Sequence, residues 1–440
     1  MKANHSLHIL NHLIFIKMTK FYHPLTYATM LIFTLIFFIA LFISTAIDFW
    51  LDQRQLISVA NHRAEVPARF KGAISLEAHQ KAANYTTTKI KVGTWAGIYS
   101  LGLLLVWTLG GGLDVLDNTV RSWGWSELTT GVAFILLFSF LGSLLDLPFS
   151  IYNTFVVEEK FGFNKMTAKL FITDMVKGAA LMTVIAAPLI WVILWLMASA
   201  GNLWWLWAWA VWVGFSLLMM WAYPTFIAPL FNKFEPMKDE SLKEAIESLL
   251  KRCGFESNGL YQMDGSKRSS HGNAYFTGFG KTKRIVFYDT LLDQLSTNET
   301  LAVLAHELGH FKRNHIKKRM VVTFAIFLAG FAIMGWLAGQ AWFYEGLGVS
   351  QASNYMLLIL FMLVMPVFSF FISPVMSMYS RKHEFEADDY AKEHAEAADL
   401  ISALVKMYED NAATLTPDSL YSAWHDSHPP APVRIAHLEK

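Results

Sequence analysis

The stretch Gly178-Ala-Ala-Leu-Met-Thr-Val-Ile-Ala-Ala-Pro-Leu-Ile-Trp-Val-Ile-Leu-Trp-Leu-Met-Ala198 contains no charged residue. A helix of this length crosses the hydrocarbon core of a bilayer, which requires about 20 predominantly apolar residues. Runs of the same kind recur at Tyr27–Ile47, Val92–Leu113, Thr129–Phe149, Leu203–Tyr223, Arg319–Phe343 and Asn354–Met378. The pattern predicts a mainly α, polytopic membrane protein with about seven transmembrane helices.

The first run also resembles a secretory signal peptide, because Lys17 and Lys20 precede it and Ser44-Thr-Ala46 would suit a cleavage site. Its apolar core is longer than the roughly 7–15 residues of such a segment. We therefore expect the first run to be retained as a membrane span.

The composition supports the membrane class. The chain is 54% hydrophobic and 16% charged, whereas an average soluble domain is about 45–50% apolar and about 25% charged. A formal net charge of +1 argues against the extended basic surface of a nucleic-acid binder. The single cysteine, Cys253, excludes a disulfide scaffold.

Lysine and arginine residues predict the orientation of the spans. They are frequent in the loop after span one and in the segments after spans three, five and seven. The loop after span two holds only Arg121, and the loops after spans four and six hold none. The positive-inside rule places the basic segments and the C-terminus in the cytoplasm. The N-terminus then faces outside, although it carries Lys2, Lys17 and Lys20.

Two polar stretches, Asn232–Lys318 and Arg381–Lys440, are long enough to fold outside the bilayer. Neither could bury a large core alone, so we expect them to pack together as one cytoplasmic domain. This predicts an N-terminal tail over residues 1–26 and a five-span block over 27–230. A second domain over 231–440 would then include spans six and seven.

The motif His306-Glu307-Leu308-Gly309-His310 points to a metal. Ser296 followed by Glu299 is a capping-box pattern that predicts a helix start. Residues four apart share a helix face, so His306 and His310 can reach one ion. Glu307 is displaced by about 100° and can act on a water instead. This is the H-E-x-x-H arrangement of zinc peptidases. The alternative is an amphipathic helix with solvated histidines.

A catalytic zinc needs a third protein ligand and an open position. In the segment after span seven, Glu384, Ala387, Asp388 and Ala391 share one small-residue helix face. A carboxylate on such a face can approach a partner helix closely, and Gly309 would leave room for it. Asp388 could accept the free ring N–H of a zinc-bound histidine. The alternative is an ordinary charged juxtamembrane helix.

At this point the sequence resembles the integral-membrane type I CAAX prenyl endopeptidases, a family of H-E-x-x-H zinc metallopeptidases of the gluzincin type. The motifs that carry the resemblance are Val157-Glu-Glu-Lys-Phe-Gly-Phe-Asn-Lys-Met-Thr167, Ala228-Pro-Leu-Phe-Asn-Lys-Phe-Glu-Pro236, Asn273-Ala-Tyr-Phe-Thr-Gly278, His306–His310, Glu384-Phe-Glu-Ala-Asp388 and Ser427-His-Pro-Pro430. Their order along a seven-span chain is specific. The short length and the run Pro432–His437 resemble the bacterial branch.

The resemblance implies one Zn²⁺ per chain, bound by His306, His310 and Glu384. It implies that Glu307 activates the water and that Asp388 orients a ligand. It also implies seven helices around a water-filled chamber, closed at its cytoplasmic end by the zinc domain.

The resemblance further implies that His428 and Arg434 reach into the cleft. His428 would donate to the oxyanion of the scissile carbonyl, with His425 as the competing candidate. One departure from the family pattern is Glu386, where many eukaryotic members are expected to carry Gln. Since Glu386 lies off the ligand face, it leaves the zinc assignment intact.

The stretch Asn273–Thr277, a turn over Gly278–Lys283 and the stretch Arg284–Tyr288 predict a β-hairpin. An exposed edge strand near the zinc could bind an extended peptide by backbone pairing, which makes Asn273, Ala274 and Tyr275 candidate substrate-binding residues. The alternative is a hairpin that only packs the domain.

These features predict a zinc metalloendopeptidase of the bacterial cytoplasmic membrane, with its active site facing the cytoplasm. Its expected substrates are membrane-associated or misfolded peptides or proteins, including lipid-anchored ones; no nucleic-acid partner is expected. The alternatives are a heat-shock-type quality-control protease and a catalytically silent membrane chamber or lipid-binding protein. The intact Glu307 argues against a silent protein.

Overall fold

The computed structural model describes residues 2–277 and 282–440, with side chains described from residue 27 onward except for Asn258 and residues 277–283. The side chains of the expected tail over 1–26 therefore lie outside the described residues. The helices and strands are α1 Lys2–His62, α2 Leu76–Trp107, α3 Gly112–Arg121, α4 Glu127–Tyr152, α5 Ala168–Ser199, α6 Trp204–Ala222, β1 Phe234–Pro236, α7 Glu240–Cys253, β2 Glu256–Met263, β3 Ala274–Thr277, β4 Thr282–Tyr288, α8 Asp289–Gln294, α9 Thr297–Lys312, α10 His315–Leu337, α11 Ala341–Glu345, α12 Asn354–Ser369, α13 Ser373–His394, α14 Ala397–Asp410, α15 Ser419–His425 and α16 Ala431–Leu438.

The described residues contain six helical segments that are long and apolar enough to cross a membrane. They are Tyr27–His62, Leu76–Trp107, Glu127–Glu158, Ala168–Ser199, Gly201–Leu230 and His315–Leu337. The pair α12 and α13 meets the same criterion together but is bent by 70°. Counting this pair as one span confirms the predicted mainly α membrane fold with about seven spans.

Two predicted spans differ from the observed helices. Span two was expected to reach Leu113, but α2 ends at Trp107, because Gly110, Gly111 and Gly112 follow and Gly111 has a left-handed φ of 77°. Span seven was expected to be continuous over Asn354–Met378. It breaks between α12 and α13, where Pro374 lies in the first turn of the second helix and cannot continue the first.

The helices outside the membrane block enclose a separate apolar core. Within the described residues the strands form one sheet in the order β1-β2-β4-β3, in which β2 and β4 are parallel and the other pairs antiparallel. Side chains from α7, β4 and α9 pack in this core with Tyr390, Leu404 and Leu438 from the C-terminal stretch. The two polar stretches thus pack together, as the sequence predicts.

The predicted hairpin is present. β3 pairs with β4 in antiparallel register from Ala274↔Phe287 to Thr277↔Arg284, and β3 lies at the edge of the sheet. β4 begins at Thr282, two residues earlier than expected, while residues 278–281 of the predicted turn lie outside the described residues.

Polar contacts fasten the membrane helices to this domain. Arg268 donates through Nε to Asp174 of α5 at 2.8 Å, while within the domain His271 Nδ1 lies 2.7 Å from Asn411 Oδ1. The other ring nitrogen of His271 lies 3.3 Å from Glu158, at the end of the α4 span. The domain is therefore held in a fixed orientation against two spans.

Glu299 joins the start of α9 to α14. It completes the predicted capping box with Ser296, and it accepts hydrogen bonds from Ser402 at 2.6 Å and Lys406 at 2.7 Å. Burial alone would raise the pKa of Glu299, but the bonds from Lys406 and Ser402 outweigh it and lower that pKa to about 2. The ionised carboxylate is thus strongly favoured in the folded protein.

We expect Glu299→Ala to lower the free energy of unfolding by about 2 kcal/mol, the combined effect of a lost cap and lost buried hydrogen bonds. The thermal unfolding midpoint of the detergent-solubilised protein measures this loss, with the exposed neighbour Asn298→Ala as the control. Because the pKa of Glu299 is lowered, its contribution is complete above pH 4.5 and disappears as the pH falls towards 2. The two midpoints should therefore converge in acid; a constant difference would contradict this role.

Candidate metal centre

Two histidines of α9 meet on one face of the helix. The Nε2 atoms of His306 and His310 lie 3.3 Å apart, as expected for residues one helical turn apart whose rings point to one place. His306 is 6% exposed. The helix that carries them starts at the Ser296 capping box, so the register of the motif is set by the local sequence.

Helix α13 brings Glu384 to the same point. One carboxylate oxygen, Oε2, lies 3.4 Å from His306 Nε2, and the other, Oε1, lies 3.4 Å from His310 Nε2. Four-coordinate zinc with ligands at about 2.0–2.1 Å separates neighbouring ligand atoms by about 3.3–3.4 Å. Among the described residues, the buried Glu384 Oε2 has no hydrogen-bond partner. Each imidazole thus faces a different oxygen of Glu384, and the three side chains can each offer a ligand atom to one metal ion.

The closeness of α9 and α13 depends on Gly309. A Cβ atom at this position would lie 3.0 Å from the Cα atom of Ala387 and 3.0 Å from the Cβ atom of Tyr390. The small-residue face predicted for α13 is the face that packs here, since Glu384, Ala387, Asp388 and Ala391 are all buried.

Asp388 and Arg434 form a buried pair behind His306. Asp388 Oδ1 lies 2.8 Å from His306 Nδ1, and Arg434 donates through Nε to Asp388 Oδ2 at 2.9 Å. Arg434 Nη2 also lies 3.2 Å from His306 Nδ1, but a histidine bound to metal through Nε2 carries its proton on Nδ1 and donates it to Asp388. The guanidinium of Arg434, which the resemblance implies reaches into the cleft, contacts both Asp388 and His306 in the structure.

The electrostatics of α9 suit metal-assisted hydrolysis. Burial lowers the pKa of His310 to about 3 and the neighbouring His306 contributes, so the ring is neutral at pH 7 and free to bind a metal. Burial also raises the pKa of Glu307, an effect that His306 opposes and Glu384 reinforces. A carboxylate with a raised pKa can accept a proton and later donate it.

His428 lies at the open side of the cluster. Its Nε2 atom is 3.5 Å from Glu384 Oε1, and its side chain is 66% exposed. His428 also lines a cavity of about 460 Å³, together with Tyr85, Lys89 and Asn411. The competing candidate, His425, contacts Asp48 at 3.4 Å.

The edge strand β3 packs beside α9, the helix that carries His306 and His310. The Phe276 ring lies 5.5 Å from the ring of Phe311, the residue that follows His310. The backbone of Asn273 accepts from Tyr288 at 2.9 Å, while Ala274 and Tyr275 pair with β4. Ala274 and Tyr275 therefore lie on an edge strand that pairs with β4 on one side, and Asn273 directly precedes this strand. The helix beside the strand is α9, which carries His310.

Three residues around His310 make contacts that the sequence did not predict. His315 Nδ1 lies 3.0 Å from His310 Nδ1, His315 Nε2 lies 2.9 Å from Glu386 Oε2, and His383 stacks on His315. The available signal was a third histidine five positions after His310, but that spacing does not place two residues on one helix face.

Known proteins resemble this chain over most of its length. Residues 55–233 match the family model described as CAAX prenyl protease N-terminal, five membrane helices, and residues 236–440 match peptidase family M48. The chain is 33% identical to the CAAX prenyl protease 1 homolog of Homo sapiens over 88% of its own length and 90% of that relative's. It is 36% identical to CAAX prenyl protease 1 of Saccharomyces cerevisiae, covering 85% of this chain and 88% of the relative.

The fold also matches a solved structure. The crystal structure of S. mikatae Ste24p superimposes with a TM-score of 0.86 at 33% sequence identity, covering 92% of this chain and 98% of that one. The similarity therefore includes both the membrane helices and the domain that holds the His306–His310–Glu384 cluster.

We expect Gly309→Val to weaken metal binding about tenfold or more, comparable to other changes around metal ligands. The new side chain meets the backbone of Ala387, so α13 must move and carry Glu384 away from the histidines. Chelator competition on the purified protein measures the affinity.

Gly178→Val is the control, since a Cβ atom there meets nothing within 4 Å. Parental affinity in Gly309→Val would contradict the helix contact as the source of the ligand geometry.

Proposed function

Because the chain belongs to peptidase family M48 and carries the five-helix N-terminal block of the CAAX prenyl proteases, we propose that it is a membrane endopeptidase with one Zn²⁺ bound by His306, His310 and Glu384. The observation that carries this assignment is the closeness of the three side chains: the two histidine Nε2 atoms lie 3.3 Å apart, and each lies 3.4 Å from a different oxygen of Glu384. We also propose a division into a five-span block over 27–230, after a tail over 1–26, and a metallopeptidase domain over 231–440.

Held by His306, His310 and Glu384, a Zn²⁺ ion would act as a Lewis acid and would make water at the site more acidic. Glu307 acts beside it as the general base and then returns the proton to the leaving amine. Its position next to His306 on α9, without being part of the ligand cluster, supports this role. The raised pKa of Glu307 suits a group that must carry a proton between two steps.

His428 stabilises the negative charge that develops on the scissile carbonyl oxygen. Its ring lies beside Glu384 on the exposed side of the cluster, where a substrate would approach. Ser427 contacts its Nδ1 atom at 3.0 Å, which leaves Nε2 for the substrate. Asp388, held by Arg434, orients His306 without touching substrate, so Arg434 acts through Asp388.

β3 receives the substrate in an extended conformation. A peptide added to the free edge would form backbone hydrogen bonds along Asn273, Ala274 and Tyr275. Backbone pairing tolerates many side chains, so a further feature must select the substrate.

The relatives are named CAAX prenyl proteases, and we infer for this chain a substrate whose scissile bond lies near a lipid-anchored or membrane-associated segment. The five-helix block over 55–233 favours this substrate class over the heat-shock quality-control type, which the sequence analysis left as an alternative. The enzyme sits in a cytoplasmic membrane of a bacterial cell with its active site facing the cytoplasm.

The catalytic assignment predicts different losses for two carboxylates. Glu307→Gln should abolish cleavage yet keep about one zinc per chain, whereas Glu384→Ala should lose both zinc and cleavage. Metal analysis and cleavage of a quenched peptide with a C-terminal Cys-aliphatic-aliphatic-X sequence, farnesylated or unmodified, measure these effects, and Glu393→Ala on the exposed face of α13 is the matched control.

Loss of zinc from Glu307→Gln would make Glu307 a ligand and contradict its role as base. Chelator-resistant cleavage by the parent would contradict a metalloenzyme. Equal cleavage of the farnesylated and unmodified peptides would contradict selection by a lipid anchor.

The proposed orientation predicts the side on which fused reporters lie. A reporter placed after Lys440 should be cytoplasmic, and one placed between Gly346 and Asn354 should be external, because the intervening segment is the span formed by α12 and α13. Reporter activity in intact cells distinguishes the sides. The reverse pattern would place the active site outside the cytoplasm.

A further inference from the structure

The second ring nitrogen of His310 has a specific partner. His310 Nε2 faces His306 and Glu384, so when it binds metal the ring proton must reside on Nδ1. Metal-binding histidines almost always donate this second N–H to a fixed acceptor. For His306 that acceptor is Asp388, at 2.8 Å. For His310 the atom in place is Nδ1 of His315, at 3.0 Å.

This contact determines the protonation of His315. Its Nδ1 can accept from His310 only if it carries no proton, so the proton of a neutral His315 ring lies on Nε2. That Nε2 atom lies 2.9 Å from Glu386 Oε2, which can accept the bond. The proton positions are therefore mutually consistent along the chain from His310 through His315 to Glu386.

His315 is held rigidly in this orientation. It is 1% exposed and stacks on His383 with ring centroids 4.0 Å apart and an angle of 10° between planes. Asn314, at the start of α10, has a left-handed φ of 57°, a conformation that Asn tolerates better than most residues. This turn brings the first residue of α10 back against the last turn of α9.

We propose that His315 is the positioning residue for the metal ligand His310, and that Glu386 completes the arrangement by fixing His315. The inference rests on the proposed zinc peptidase function and extends it. The two histidine ligands would thus be oriented by different means: His306 directly by a carboxylate, and His310 through an intervening imidazole. Glu386, which the sequence analysis places off the ligand face, then influences the metal without binding it.

Two substitutions at His315 separate hydrogen bonding from packing. His315→Leu fills much of the space but removes the acceptor, whereas His315→Asn places an amide oxygen near the former Nδ1 atom. We expect zinc affinity to fall about 10–100-fold in His315→Leu, as for other losses of a ligand's outer partner. We expect His315→Asn to recover most of that loss.

Glu386→Gln keeps a side-chain oxygen as the acceptor for His315 and removes the charge, so its loss of affinity should be smaller than that of Glu386→Leu. Glu393→Gln, exposed on the same helix, is the matched control and should bind zinc as the parent does. All variants are full-length protein in detergent, and zinc affinity is measured by chelator competition.

The visible spectrum of the Co²⁺-substituted protein provides a readout of ligand geometry that a general loss of stability would not change. The spectrum should shift in His315→Leu and return towards that of the parent in His315→Asn. Parental affinity and spectrum in His315→Leu would overturn the proposal. Equal weakening in His315→Leu and His315→Asn would also overturn it, because packing alone would then explain the effect.

The parent protein distinguishes this inference from the proposed function. A parent that neither binds zinc nor cleaves peptide contradicts both. A parent that binds zinc and cleaves, together with an unaffected His315→Leu, contradicts only the role of His315.

Discussion

The proposed metal centre depends on the contact between α9 and α13 at Gly309, where an added Cβ atom would lie only 3.0 Å from the Cα atom of Ala387. A glycine inside a helix costs about 1 kcal/mol relative to alanine, and buried carboxylates cost more unless they are paired. Both unfavourable features, a glycine inside a helix and buried carboxylates, occur where α9 and α13 cross. In return, two histidines on one helix and a carboxylate on the other come within 3.4 Å of each other.

The connections of α9 and α13 to the membrane helices determine how α9 and α13 meet. α9 is followed at once by the α10 span, with Asn314 as the turn between them. α13 belongs to a pair bent by 70°, so its course differs from that of α12 and it can lie against α9. A straight seventh span would carry Glu384 along the direction of α12. The break beside Pro374 thus contributes to the proposed metal site, although it lies about three helical turns before Glu384.

The sequence predicted those parts of the protein that depend on local periodicity. The apolar runs predicted the spans, the Ser296–Glu299 pattern predicted the start of α9, and residue spacing placed His306 beside His310. The face of α13 that carries Glu384 was also predictable, because small residues recur along it. Each of these features depends on residues that lie close together in one segment of the sequence.

Features that need two distant segments were not predictable in the same way. Hydropathy cannot detect the bend between α12 and α13, since the residues on both sides of it remain apolar. The partner of Arg434 is fixed by how α16 packs against α13. His315 contacts His310 across the turn at Asn314, whose left-handed φ of 57° five-residue spacing does not reveal. Strand β2, whose residues are largely polar, became recognisable only through its pairing with β1 and β4.

The pair formed by Asp388 and Arg434 has a consequence for biosynthesis. His306, Asp388 and Arg434 are synthesised in that order. Arg434 belongs to α16, which follows α9 and α13 in the chain. Until that helix packs, Asp388 faces His306 as a buried carboxylate without its cation, which is an unfavourable arrangement. Assembly of the proposed site therefore requires α16 to pack against α13, because Arg434 then supplies the cation that Asp388 needs.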